Sequence, residues 1–171
     1  MTSTEIQLLL VEDDPNDLEL SLMALRKHQL AEKIHIARDG EEALDFLFCR
    51  GAYSGRRMEH LPKVVLLDLK LPKINGLEVL KELKSDARTR PVPVVVMTSS
   101  REPRDLVRGY ELGANSYIQK PIDFDEYQKI IRDLGHYWLR VNQCRPPDGF
   151  FENQPDPAQW KTPGNQRGRN T

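Results

Sequence analysis

Short runs of consecutive branched apolar residues, each closing on a charged or hydroxyl side chain, constrain this chain more than any other feature. Val64-Val65-Leu66-Leu67 lies between Pro62 and Pro72 and stops at Asp68. A near-continuous apolar run of that length reads as a strand buried on both faces, as in a parallel sheet covered by helices. The same ending recurs. Ile6-Gln7-Leu8-Leu9-Leu10-Val11 runs into Glu12-Asp13-Asp14, Val94-Val95-Val96-Met97 into Thr98-Ser99-Ser100, and Tyr117-Ile118-Gln119 into Lys120-Pro121. A carboxylate there is poorly placed for packing and well placed for a ligand, because open α/β sheets bind ligands just outside their strand C-termini.

Between these runs the hydrophobic period changes from that of a strand to that of a helix. Strand 1 is expected at residues 6–12. Asp14-Pro15 then opens a helix, with Asp as N-cap and Pro at the first helical position, and Leu18, Leu22 and Leu25 line its apolar face to about Lys27. Strand 2 is expected at 33–37, and Asp39-Gly40-Glu41-Glu42 resembles a capping box at the start of helix 2, which carries Ala43, Leu44, Leu47 and Phe48. Cys49 reads as helix packing. Residues 50–62 read as a loop extending or following that helix. Strand 3 spans 63–68. Asn75-Gly76 precedes a helix with Leu77, Leu80 and Leu83, and strand 4 spans 93–98. Helix 4 starts near Glu102-Pro103 and stops at Gly113, strand 5 spans 116–120, and Asp123 caps a fifth helix reaching about Leu139. Five strands alternating with five helices imply an α/β fold with a parallel sheet and right-handed crossovers.

The 171 residues suit one domain, expected at 5–142. Residues 143–171 are rich in Pro, Gly and Asn and lack apolar periodicity, so a disordered or loosely docked tail is expected, with no output domain; Phe150, Phe151 and Trp160 are its apolar exceptions. A net charge of −1 exerts no general pull toward nucleic acid or anionic membrane. Two cysteines without metal spacing, no signal-peptide pattern and no apolar stretch near ~20 residues point to a cytoplasmic protein.

Glu12, Asp13 and Asp68 together would form a cluster of hard oxygen ligands, the donor set that suits Mg²⁺. Such crowded like charges repel one another, and a cation relieves them. A carboxylate can also act as nucleophile and form an aspartyl-phosphate. Lys120 and Thr98 would supply the positive charge and the hydroxyl that face phosphoryl oxygens.

Leu9-Leu10-Val11-Glu12-Asp13, Leu67-Asp68-Leu69-Lys70-Leu71-Pro72-Lys73-Ile74-Asn75-Gly76, Met97-Thr98-Ser99-Ser100 and Tyr117-Ile118-Gln119-Lys120-Pro121 resemble the receiver domain of two-component response regulators. Each motif alone is weak. The four, in order over about residues 5–140, are specific. The resemblance implies a flavodoxin-like fold with strand order 2-1-3-4-5 and phosphorylation of Asp68 by a sensor histidine kinase. It implies Mg²⁺ held by Asp13 directly, by Glu12 through water, by Asp68 and by the backbone carbonyl of Lys70. Thr98 and Lys120 resemble the phosphate contacts, Tyr117 resembles the aromatic that rotates when Thr98 engages phosphate, and the Lys120-Pro121 bond is expected cis. Phe46-Leu47-Phe48-Cys49-Arg50-Gly51, the long 50–62 loop and the aromatic end of helix 5 further resemble single-domain regulators paired with bacterial phytochrome kinases. That match implies a homodimer through the strand 4, helix 4, strand 5, helix 5 face.

Blander readings stand beside these. Asp14 is read as a helix cap, Thr98 as either a switch residue or a cap for helix 4, and Tyr117 as either a switch or a packing aromatic. His28, His35, His60 and His136 are read as structural. Apolar residues in excess of one core face on helix 5 suit a dimer contact or a docked tail equally. Two other functions compete. A Mg²⁺-dependent aspartyl-phosphate phosphohydrolase would want an acid two residues after its nucleophile, where Lys70 stands. A phosphorylation-independent scaffold would not need the five pocket side chains. At most slow self-dephosphorylation is expected, so the chain is not read as an enzyme.

Overall fold

The computed structural model describes residues 5–30 and 33–145. Its order is β1 (Leu8–Val11), α1 (Pro15–Lys27), β2 (Ile34–Ala37), α2 (Gly40–Leu47), β3 (Val64–Leu67), α3 (Gly76–Ser85), β4 (Val94–Thr98), α4 (Pro103–Glu111), β5 (Ser116–Gln119) and α5 (Phe124–His136). The five strands pair in parallel in the order β2-β1-β3-β4-β5, so the flavodoxin-like order is present.

The apolar runs divide by parity, as a period of two requires. Leu9, Val11, Val65, Leu67, Val94 and Val96 face a core completed by Ala43, Leu47, Val79 and Leu83 from α2 and α3. Leu8, Leu10, Val64, Leu66, Val95 and Met97 face a second core completed by Leu18 and Leu25 of α1 and by Tyr127 and Ile131 of α5. Burial on both faces explains why these strands carry no polar alternation.

Local signals set most helix starts. Asp14 is the N-cap of α1, its side chain accepting the N–H groups of Asn16 and Asp17 at 2.8 and 3.0 Å. Asp39 caps α2 through the Glu42 N–H, but Glu42 reaches back to the N–H of Arg38 rather than of Asp39, so the box is offset by one residue. Asn75 and Glu78 form a full capping box on α3. Gly113, at φ +99°, ends α4 in a conformation that favours glycine. The fifth helix runs on as a π turn over Tyr137–Val141, slightly beyond the expected end.

Residues 50–62 are a structured insertion. A 3₁₀ turn at Gly51–Tyr53 brings Tyr53 onto the sheet edge. There the tyrosine hydroxyl meets His35 Nε2 at 3.0 Å and donates to Glu42 at 2.8 Å. His35 stacks on Phe46 at 4.1 Å, and the Arg56 guanidinium lies 3.5 Å over the same ring while donating to the Phe46 carbonyl. His35 is therefore a half-buried structural residue, its pKa lowered by burial against the attraction of Glu42. Cys49 does not pack within α2. It follows the C-cap Phe48 at φ +54°, because the chain must turn there to enter the insertion.

One further expectation changes. All peptide bonds among the described residues are trans, Lys120–Pro121 included. An X–Pro bond favours trans by ~0.5–1 kcal/mol unless its surroundings select cis. The tail expectation for 143–171 falls, apart from residues 143–145, outside the described residues, as do Phe150, Phe151 and Trp160. No helix among the described residues is long and apolar enough to cross a membrane.

Candidate functional site

Parallel pairing puts every strand's carboxyl end on one edge of the sheet, so the polar endings converge. The N–H of Glu12 donates to the Ala37 carbonyl at 3.0 Å and that of Asp68 to the Val11 carbonyl at 3.0 Å. These bonds set the two acids side by side. Carboxylate oxygens of Glu12, Asp13 and Asp68 lie within 4.8 Å of one another. Glu12 and Asp68 are buried, whereas Asp13 is exposed and faces the solvent side of the cluster.

Lys120 reaches into this group from the end of β5. Its N–H donates to the Thr98 carbonyl at 2.8 Å, which ties the β4 and β5 ends together. Its side chain is 7% exposed, and Nζ donates to Glu12 Oε2 at 2.6 Å, Asp68 Oδ2 at 2.8 Å and Asp17 Oδ2 at 2.8 Å. Burial by itself would lower the lysine pKa. The charges of Asp68 and Glu12 outweigh it and hold the ammonium well above its usual range. Glu12 is pushed up to about 7, by burial first and by repulsion from Asp68, against the pull of Lys120.

The remaining lone pairs are used by backbone donors. Glu12 Oε1 accepts from the Asp14 N–H at 3.0 Å, and Asp68 Oδ1 accepts from the Lys70 N–H at 3.0 Å while the Lys70 side chain points to solvent. Gly76 allows the loop after β3 to fold back on the site, since a Cβ there would stand 2.2 Å from the Asp68 carbonyl oxygen and 2.6 Å from Leu69 Cα.

Thr98 is fully buried, and its hydroxyl accepts from the Ser100 N–H at 3.1 Å. It does not cap α4. Ser100 serves the start of that helix instead, accepting the Glu102 N–H at 3.3 Å and bonding the Asp105 carboxylate. Tyr117, the next inward position on β5, is half-buried against Gly109, and a Cβ on Gly109 would come within 3.1 Å of its ring. Its hydroxyl is buried without a hydrogen-bond partner among the described residues, and burial raises its pKa, aided by Asp105 and Asp68. Of α4 only Gly109 is buried, and Leu106, Val107 and Tyr110 are exposed.

The candidates Glu12, Asp13, Asp68, Lys70, Thr98 and Lys120 therefore lie at this edge of the sheet, whereas Tyr117 stands within β5, opposite Val96 and against Gly109 of α4. Asp17 was missed. Nothing in the spacing of an N-terminal helix turn marks one acid as belonging to a lysine 103 positions away. The only signal was its place in the first turn of a helix that begins beside the acidic strand end.

The donor set fits a hard divalent cation. Three carboxylates with closely spaced oxygens stand together, and Lys120 pairs with the two buried ones, Glu12 and Asp68, so an oxygen-only ligand group with excess negative charge remains, which suits Mg²⁺ or Mn²⁺.

A family model for the response regulator receiver domain matches residues 8–132. The probable methanogenesis regulatory protein FilR2 of Methanothrix harundinacea is 40% identical over 140 residues, covering 82% of this chain and 88% of that protein. Response regulator Rcp1 of Synechocystis is 36% identical over 134 residues, covering 78% and 89%. The Mn²⁺-bound crystal structure of Rcp1 superposes with a TM-score of 0.75 at 34% identity, over 81% of this chain and 97% of that one. The phosphorylated cyanobacterial phytochrome response regulator RcpA gives 0.76 at 34% identity, over 82% and 98%. The bacteriophytochrome response regulator AtBRR is 54% identical with a TM-score of 0.63, over 80% and 97%.

Proposed function

The chain belongs to the response regulator receiver family of two-component systems, and on that premise we propose that it is a phosphoacceptor switch rather than an enzyme, with Asp68 as the acceptor. The observation that carries this reading is the grip of Lys120 on Asp68 beside the oxygens of Glu12 and Asp13. An Asp68 oxygen attacks the phosphorus of a phosphohistidine on the kinase. The new P–O bond forms as the P–N bond breaks, and the released imidazole takes up a proton. Lys120 offers N–H donors to the phosphoryl oxygens, and Thr98 offers its hydroxyl hydrogen, which the bond accepted from the Ser100 N–H leaves available. Glu12, Asp13, Asp68 and the Lys70 carbonyl would hold Mg²⁺, which neutralises phosphoryl charge when bound. Lys70 stands where a phosphohydrolase would place its acid/base, so the product persists and only slow self-dephosphorylation is expected.

The readout lies toward β4, α4 and β5. Among the described residues the buried hydroxyl of Tyr117 beneath α4 has no partner, and Gly109 is the one buried residue of α4, so engaging Thr98 has a lightly packed element to bias. The exposed Leu106, Val107 and Tyr110 suit a homodimer through the face formed by β4, α4, β5 and α5. The likeness to AtBRR and RcpA supports a phytochrome sensor kinase as the cytoplasmic donor. Asp68→Asn tests the core of the reading. Acid-labile labelling by a kinase or by acetyl phosphate with Mg²⁺ should vanish while the fold remains. Labelling that persists would move the acceptor elsewhere.

A further inference from the structure

Lys120 has three N–H donors, and all three are spent on carboxylates: Glu12, Asp68 and Asp17. A phosphoryl group on Asp68 needs at least one of them for its own oxygens. Building on the phosphoacceptor reading above, we propose that Asp17 is a positioning residue that holds Lys120 in the unphosphorylated state and surrenders it to the phosphoryl group, thereby opposing phosphorylation.

Three features favour Asp17 as the partner released. Its side chain is 34% exposed, against 4% for Glu12 and 7% for Asp68, so water can rehydrate its carboxylate when the lysine leaves. It occupies the first turn of α1, where the helix dipole sustains an unpaired negative charge. With Lys120, Ser99, Arg101 and Pro121 it also lines an open depression of about 270 Å³, so the contact faces solvent.

The backbone of Asp17 stays in place whichever partner the lysine takes. Its N–H donates to Asp14 at 3.0 Å, and its carbonyl accepts from the Tyr127 hydroxyl at 3.5 Å. Tyr127 is itself bonded to Ser21 at 2.9 Å, which ties α1 to α5. The carboxylate is thus a fixed negative charge at the entrance. It competes for the lysine and repels the phosphoryl dianion.

The test is calorimetric titration with beryllofluoride at saturating Mg²⁺, alongside acetyl-phosphate labelling rates. Asp17→Asn keeps the shape and removes the charge, and should bind beryllofluoride roughly three- to ten-fold more tightly and label faster, as expected for one partly exposed charge acting at close range. Asp17→Glu keeps the charge and should stay near wild type. Asp17→Ser carries the same comparison should Asp17→Asn fail to fold. A purely structural role would lower the melting temperature without tightening the mimic. Unchanged or weaker binding by the neutral variants overturns the inference and leaves the phosphoacceptor reading intact. Wild-type protein that neither labels nor binds the mimic overturns both.

Discussion

Replacing Lys120 with methionine separates the charge of the lysine from its bulk. The aliphatic stem is largely retained, and what disappears is the ammonium that bridges three carboxylates at 2.6–2.8 Å. Swapping a whole buried ion pair for apolar residues is often neutral. Removing one partner is costly, because it leaves charge buried without compensation, at about 3–5 kcal/mol. Two features reduce that figure here. Glu12 already titrates near 7, so it takes up a proton readily once the lysine is gone. Asp17 is partly exposed and contributes little. A loss of about 2–4 kcal/mol at pH 8 follows, or roughly 10 °C in Tm for a domain of this size. Added Mg²⁺ should recover more stability in the variant than in wild type, because the acids it neutralises are then uncompensated. Thermal melts at pH 8 in EDTA and in Mg²⁺ measure both quantities. A variant at least as stable as wild type in EDTA, or one that gains no more from Mg²⁺, would refute the view that Lys120 neutralises the cluster.

The raised pKa of Glu12 gives a pH profile of unusual sign. A carboxyl group that binds its proton more tightly when folded stabilises the protein below its unfolded pKa of about 4.5 and loses that contribution as pH rises through about 7. Metal-free protein should therefore weaken between pH 5 and 8 by up to about 3 kcal/mol, and Glu12→Gln should flatten the slope; a flat wild-type profile in urea melts argues against the shift. Mg²⁺ affinity should fall as pH drops through 7, with proton release on binding seen as a buffer-dependent heat. At Gly76, a methyl group would collide with the backbone of Asp68 and Leu69. Gly76→Ala should cost about 3 kcal/mol or more by urea unfolding and weaken Mg²⁺ binding, since the backbone that yields carries the site; a loss below about 1 kcal/mol would mean that the loop shifts freely.

Local chemistry made much of this protein legible in advance. Apolar runs buried on both faces, Asp14 before Pro15, Asn75-Gly76 before α3 and Gly113 after α4 each specify conformation through near neighbours, and the structure agrees at every one. The meeting of the polar strand ends was legible for a related reason. Parallel strands end on the same edge, so polar residues at strand ends must meet there. Composition, by contrast, suggested a plain loop at 50–62, and the aromatic and cation–π contacts that order it depend on a sheet edge that exists only after β2 has paired.

The sequence by itself therefore determined the fold class, the helix caps and the edge of the sheet where Glu12, Asp13, Asp68, Thr98 and Lys120 gather. Only the tertiary structure decided how Lys120 distributes its three hydrogen bonds, that Asp17 receives one of them, and that the hydroxyl of Tyr117 is buried without a partner among the described residues. The physical reason is range. Capping and strand periodicity act over a few residues, whereas the partners of a buried charge are chosen by which side chains the packed helices and strands bring within 3 Å of it.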